Sequence, residues 1–351
     1  MCGSDAEQAI TTAGAVPGTE GGSERIERIA RLRLEDGLVA RRCGSRGRRA
    51  ADGELDDRAV RRLRSHVRSV VGGGGCGRTV APPRALIAPV PLSDDREALT
   101  ATLSRAGFIA AEEEAAELLA CAAGDLDVLG SMVRRRLTGE PLAWITGSTV
   151  FCGLEIHVDP GVYVPRWQSE ALAHRAAQRL PAGGTAVDIC TGAGPIAMTL
   201  AAGDPGARVV ASDIDERAVG CARANGVDVY HGDLFAPLPA TLQGQVDVVV
   251  GVVPYVPTTA LPMLQRDTFA FESALSYDGG DDGADILRRV MAEGTRFLRP
   301  GGALLLELGG DQAEVLRADL AQLGYVDVMV IVDEDGDVRG IESTLDLSRT
   351  R

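Results

Sequence analysis

The spacing of apolar positions changes twice along the chain and divides it into three textures. Between residues 93 and 147, apolar side chains recur every three or four positions in REALTATLSRAGF, AAEEEAAELLACAAG and DLDVLGSMVRRRLTG. That period predicts three amphipathic helices in a small helical unit. From 148 to 165 the period shortens to two, and STVFCGLEIHVDPGVYVP alternates about Gly153 as a connecting β-hairpin does. From 166 to 351, short runs dominated by Val, Ile, Leu and Ala (TAVDIC, ARVVASDI, VDVYHGD, VDVVVGVVPY, ALLLELG) alternate with stretches of helical spacing. Continuous apolar strands interleaved with helices mean a parallel sheet covered on both faces. YVDVMVIVDEDG and VRGIESTLDL suit an antiparallel pair closing the sheet. The predicted fold class is α/β, a Rossmann-like seven-stranded domain behind a small helical domain and a hairpin connector.

Residues 1–92 read differently. The first 23 are small and polar, with too little to bury to be ordered. Residues 24–70 place Ile26, Ile29, Leu32 and Leu34 at helical spacing among many arginines, and VGGGGCG then breaks into the proline-bearing APPRALIAPVPLS. This is a disordered or partly helical basic arm and linker.

Charge and composition narrow the function classes. All 36 basic residues of the 351-residue chain are arginine, which excludes lysine Schiff-base chemistry and a P-loop lysine. Residues 1–90 carry 16 arginines against 11 acids, whereas the remainder carries 20 against 39. The body is therefore acidic, and no direct nucleic-acid binding is expected of it. No run of eighteen apolar residues and no basic–apolar start are present, so neither a membrane span nor a secretory signal is expected. The seven scattered cysteines form no CxxC pair and point to a reducing cytoplasm. His157, His174 and His231 stand at no metal-ligand spacing from a cysteine or carboxylate in the sequence, so no metal site is expected.

Candidate chemistry is concentrated in VDICTGAGPIAMTLA, residues 187–201. A strand ends at Asp188, a turn follows at Gly192 and Gly194, and a helix opens; glycines admit a ligand to the backbone, and the helix start offers free N–H groups. With Ala197 three positions beyond Gly194, spacing alone leaves a dinucleotide open. The acids favour S-adenosylmethionine. Asp188 suits its ammonium group, Asp213 in SDID its ribose hydroxyls, and Asp233 in GDLF its adenine amino group. Asp also caps helices after strands, but one acid after each of three successive strands, in register with a glycine turn, is an ordered set.

These motifs resemble the HemK/PrmC family of protein-glutamine N5-methyltransferases, in particular its actinobacterial branch, over about residues 95–345. YVPRWQSE (163–170) is similar to the family's PR-x-x-[TS]-E segment, and VDICTGAG, SDID and GDLF to its cofactor motifs. VVPY (252–255) stands where the family has N-P-P-Y or N-x-P-Y. FESALSYDGGDDG, LELGGDQ and DEDGDVR follow in the family's order. The resemblance implies cofactor contacts from Asp188, Thr191, Gly192, Gly194, Asp213, Ile214, Asp233, Leu234 and Val252. It implies acceptor chemistry at Val253, Pro254 and Tyr255, and substrate contacts from Arg166, Tyr255 and Glu272. It also implies a helical domain that recruits a protein substrate, typically a peptide-chain release factor, whose glutamine amide is methylated. Arg166 and Glu170, one helical turn apart, equally suit a plain i,i+4 ion pair.

One departure bears on the acceptor. In the family an asparagine side chain helps hold the amide NH2; here Val252 stands in its place, and the chain's single asparagine is Asn225. Valine forfeits a hydrogen bond worth roughly 1–3 kcal/mol if the amide is left unpaired. The expectation is a methyltransferase with an altered acceptor, protein or small molecule. The alternative is a catalytically silent protein that binds the cofactor and a partner.

Overall fold

The computed structural model describes residues 95–264, 271–333, 336–346 and 348. The basic arm expected over 1–92 lies outside these residues.

Four helices come first: α1 (Arg96–Arg105), α2 (Ala111–Ala122), α3 (Leu126–Leu137) and α4 (Leu142–Thr146). The Asp95 carboxylate caps α1 by accepting from the Glu97 N–H, and Asp125 caps α3 by accepting from Asp127 and Val128. Their apolar stripes meet in a core of their own, with Leu103, Leu118, Leu129 and Val133 at its centre. Arg136 is buried in this unit, doubly bonded to Glu114 and 3.9 Å from the centre of the Phe108 ring. The short α4 was not foreseen, since five residues are too few to display a helical period. It carries Trp144, whose indole N–H donates to the Val162 carbonyl at 2.9 Å and so ties the helices to the connector.

The connector is an antiparallel hairpin, β1 (Ser148–Phe151) with β2 (Leu154–His157). Its two-residue turn places Cys152 at φ 48° and Gly153 at φ 73°, the left-handed pair that matches the twist of the flanking strands. Glu170 accepts from the Cys152 N–H at 2.8 Å.

The remaining strands form one sheet in the order β5-β4-β3-β6-β7-β9-β8. These are β3 (Thr185–Ile189), β4 (Arg208–Asp213), β5 (Val229–His231), β6 (Val246–Gly251), β7 (Leu298–Glu307), β8 (Tyr325–Val332) and β9 (Val338–Leu345). The first five run parallel, and β9 lies antiparallel between β7 and β8. Helices α5 (Glu170–Arg179), α6 (Pro195–Gly203), α7 (Glu216–Ala224), α8 (Asp285–Phe297), α9 (Gln312–Val315) and α10 (Arg317–Gln322) complete the described helices. β3 pairs with β4 on one side and β6 on the other, so the chain order reverses beside it. Such a switch point leaves a crevice at the carboxyl ends of the strands. Among the described residues no helix is long and apolar enough to cross a membrane.

Candidate active site

The crevice beyond β3, β4 and β6 is a cavity, and the glycine turn forms one wall of it. Asp188, at the end of β3, is buried and lines this wall. Its Oδ2 accepts from the Thr191 hydroxyl at 2.6 Å and from the Ala197 N–H in the first turn of α6 at 3.2 Å. Its other oxygen receives no hydrogen bond among the described residues. Burial pushes the carboxyl up to about 7; the Thr191 and Ala197 bonds pull it down in part, and the nearby Asp213 charge raises it. A carboxylate held in that state is stabilised by a cation.

Gly192 and Gly194 are both left-handed, at φ 58° and 86°, for different reasons. A Cβ on Gly192 would meet nothing within 4 Å, so this stretch of backbone is open to a ligand. A Cβ on Gly194 would stand 2.7 Å from Val227 Cγ2, so here glycine lets the turn pack against the segment after α7. Gly194→Ala is expected to cost about 1–3 kcal/mol of stability through strain and overpacking. In denaturant melts the loss shows, whereas cofactor affinity changes little. Cys190 also adopts a left-handed backbone, at φ 57°, and lines the cavity half-buried, packed against the sheet's core.

Asp213 ends β4 and braces the turn. Its Oδ2 accepts from the Gly192 N–H at 2.8 Å and its Oδ1 from the Asp215 N–H at 2.9 Å. Burial raises its pKa against those two bonds. Ile214 beside it is exposed and lines the cavity. An open carboxylate, an open glycine turn and a second acid at the next strand end fit the polar groups of S-adenosylmethionine. Protonation of Asp188 would cancel its attraction for a cation. Cofactor affinity is therefore expected to fall about tenfold for each pH unit below about 7, and to level off above it, in calorimetric titrations.

The opposite wall begins where β6 ends. Val252, Val253, Pro254 and Tyr255 all line the cavity, with Val253 fully buried. The loop is stitched in place from three directions. The Tyr255 hydroxyl donates to Glu307 Oε1 at 3.0 Å, and the Gln312 side chain donates to the Tyr255 carbonyl at 2.9 Å. Val256 exchanges backbone bonds with Tyr277 and Gly279. Glu307 is buried, and burial raises its pKa against Ser169, Tyr255 and Arg339.

Arg166 also lines the cavity, but it does not pair with Glu170. Its Nη2 donates to Glu272 at 2.6 Å and stands 3.3 Å from the Tyr277 hydroxyl, and its guanidinium lies 5.3 Å from the Tyr163 ring centre. Glu272 further accepts from the Val164 N–H at 2.9 Å and from the Tyr277 hydroxyl. Tyr163 and Tyr277 meet edge to face at 5.5 Å, and burial pushes the Tyr163 hydroxyl up to about 12.

Four expected site residues are not among the cavity's lining, and one of them is Gly194, which packs toward Val227. Asp233 is ion-paired with Arg289 at 2.7 Å, because α8 brings that arginine over the end of β5. Leu234 is buried in the sheet's core. Glu272 stands behind the wall, its side chain wholly enclosed, and orders Arg166 and Tyr277 instead of facing the crevice. Trp167 lies outside as well, exposed beneath Arg339. Tyr163 and Tyr277 were not singled out from the sequence, although both sit inside motifs that were. His157 meets Asp159 at 2.9 Å and shares a cluster with Cys221, which corrects the reading that no histidine finds such partners.

Known sequences agree with this geometry. The model of the methyltransferase small domain family matches residues 153–254. The chain is 34% identical over 218 residues to the release factor glutamine methyltransferase of Geobacter sulfurreducens, covering 60% of this chain and 76% of that one. It is 36% identical over 247 residues to the enzyme of that name from Moorella thermoacetica, covering 67% and 84%. It is also 38% identical over 195 residues to the 4-amino-L-phenylalanine/4-methylamino-L-phenylalanine methyltransferase of Streptomyces pristinaespiralis, covering 51% and 65%. The chain belongs to the HemK/PrmC family of release factor glutamine methyltransferases and is an S-adenosylmethionine-dependent methyltransferase.

Proposed function

We propose that this methyltransferase acts on an acceptor other than a glutamine amide. The observation that carries the reading is Val252, which puts an apolar side chain on the acceptor wall where the resemblance calls for an amide-holding asparagine. Asn225 does not substitute for it. Its Oδ1 accepts from the His157 N–H, and its Nδ2 donates to the carbonyls of His157 and Ala193.

An amide nitrogen has its lone pair in resonance, and two acceptors are needed to hold its NH2 so that the pair points at the electrophile. An amine keeps its lone pair localised and needs no such clamp. The Streptomyces pristinaespiralis relative is named a 4-amino-L-phenylalanine/4-methylamino-L-phenylalanine methyltransferase, which supports an amine acceptor. Here Tyr163, Tyr255, Tyr277 and the apolar Val252 all line the cavity. The acceptor is thus a neutral amine carried on a planar group, of a small molecule or of a protein side chain.

In this reading Asp188 holds the cofactor's ammonium, Asp213 its ribose hydroxyls, and Gly192 and Ile214 pack against it. Bound S-adenosylmethionine supplies an electrophilic methyl group. The chain's residues do the rest by position: Tyr255, fixed by Glu307 and Gln312, presents its ring to the acceptor, and the Val253 carbonyl is available to one N–H. Arg166 and the tyrosines exclude water from that side.

The test is Val252→Asn, assayed on a release-factor GGQ loop and on arylamines such as 4-amino-L-phenylalanine. The restored hydrogen bond, roughly 1–3 kcal/mol, should raise glutamine transfer about 5- to 150-fold over wild type and leave arylamine transfer no faster. Wild-type transfer to glutamine as fast as the variant's would sink the proposal. Cofactor binding without transfer to any acceptor, in cell extract or to these probes, would favour the silent alternative.

A further inference from the structure

His157 is the last residue of β2, Asp159 follows two positions on, and Cys221 lies in α7. Extended backbone sends side chains at i and i+2 to the same face, so the imidazole and the carboxylate stand side by side. Packing of the hairpin on α7 brings the thiol up to them: a ring nitrogen, a carboxylate oxygen and Sγ all lie within 4.8 Å of one another. The frame holding them is built of backbone bonds. Cys221 Sγ accepts from the Asp159 N–H at 3.4 Å and donates to the His157 carbonyl at 3.3 Å. Asn225, one turn beyond Cys221, accepts from the His157 N–H at 3.0 Å and donates to the His157 carbonyl at 2.8 Å. The same amide donates to the Ala193 carbonyl, in the glycine turn of the cofactor site.

We propose that His157, Asp159 and Cys221 form a binding site for a borderline-soft divalent cation, zinc by preference, which fastens the hairpin to α7 behind the methyltransferase site. Imidazole nitrogen, carboxylate oxygen and thiolate sulfur are the three donor types that zinc takes, and three protein ligands leave the fourth tetrahedral position to water. His157 and Asp159 are about half exposed, at 46% and 48%, which provides an entry path, while Cys221 is buried beneath them. On binding, a sulfur–metal bond forms, the Sγ–H proton leaves to solvent, and the thiol gives up its bond to the His157 carbonyl. The Asn225 bonds to the same peptide keep that carbonyl satisfied and hold the hairpin in register. The site lies outside the methyl-transfer chemistry and stands or falls independently of it.

The experiment is titration of the full-length, reduced, metal-free protein with cobalt(II) chloride alone, without S-adenosylmethionine. A thiolate-to-cobalt charge-transfer band in the near ultraviolet is expected, with visible bands of four-coordinate intensity, one ion per chain, and displacement by zinc. Cys221→Ser should lose the charge-transfer band, and His157→Ala should weaken binding on the order of tenfold or more. In thermal melts, zinc in hundredfold excess over the wild-type Kd should raise the wild-type Tm by roughly 5 °C and that of His157→Ala by no more than about half as much. His157→Ala changes an exposed side chain, so it remains informative if Cys221→Ser does not fold. A wild-type protein with no charge-transfer band, or a band that survives either substitution unchanged, overturns the proposal.

Discussion

Asp188→Asn is expected to abolish useful cofactor binding while leaving the cofactor-free protein at least as stable as before. Asparagine has the shape of aspartate, and its oxygen can still accept from the Thr191 hydroxyl and the Ala197 N–H. What it presents to the cavity is an NH2 group in place of a carboxylate oxygen, so an attraction for the ammonium becomes a repulsion. Truncating one partner of a buried charge pair costs about 2–5 kcal/mol, which corresponds to roughly 30- to 5,000-fold in Kd. Stability moves the other way. Burial pushes the carboxyl up to about 7 in the fold, from an ordinary value of 3.8. A raised carboxyl pKa means that the unfolded chain gives up this proton first, so stability falls as pH rises from 3.8 to about 7 and is flat above. Asparagine carries no such loss, and at pH 8 the variant should melt at or above the wild-type temperature. Calorimetry with S-adenosylmethionine and thermal melts at pH 8 check both halves. Affinity within threefold of wild type would show that Asp188 does not face the cofactor; a variant that unfolds would show that its role is structural.

Glu272→Ala is expected to destabilise the fold by about 3 kcal/mol and to loosen the acceptor wall. The Glu272 side chain is fully enclosed, and three donors converge on it: the Val164 N–H, the Arg166 guanidinium and the Tyr277 hydroxyl. Alanine leaves a buried N–H without an acceptor and a cation without its countercharge. Breaking a buried pair commonly costs about 3–5 kcal/mol; Arg166 keeps 38% of its side chain exposed, so water relieves part of that cost. Urea melts measure the loss, which should appear as a shifted midpoint with unchanged slope. Glu272→Gln retains an acceptor for Val164 and should fall between the two. Because Asp188 and the glycine turn are on the other wall, the Kd for S-adenosylmethionine should stay within about threefold of wild type in both variants. A loss below about 1 kcal/mol for Glu272→Ala would mean that the three donors find other partners.

The proposed change of acceptor and the cofactor wall rest on different parts of the chain. The cofactor wall is made of backbone turns and short acids at consecutive strand ends. The acceptor wall is assembled from the hairpin exit, the end of β6 and the segment around Tyr277. Under the proposed function, a change at Val252 alters what is methylated without touching the residues on the cofactor wall.

By itself the sequence determined the helical unit, the hairpin, the parallel sheet with its closing antiparallel pair, and the glycine turn with Asp188 and Asp213 at successive strand ends, while the family resemblance pointed to the 252–255 loop. Those features are local: apolar period, a glycine turn after a strand, and acids at strand ends are written within a dozen residues each. The tertiary structure alone decided the partners. Arg166 and Glu272 are 106 positions apart, His157 and Cys221 are 64 apart, and Asp233 and Arg289 are 56 apart. No periodicity carries that information. The sheet order brings these residues together, and it turned an expected i,i+4 pair into a buried cross-loop anchor. It paired Asp233 with Arg289, and it gathered three scattered side chains into a cluster of metal-ligating atoms. Electrostatic partnership depends on distance through space, and only the folded chain sets that distance.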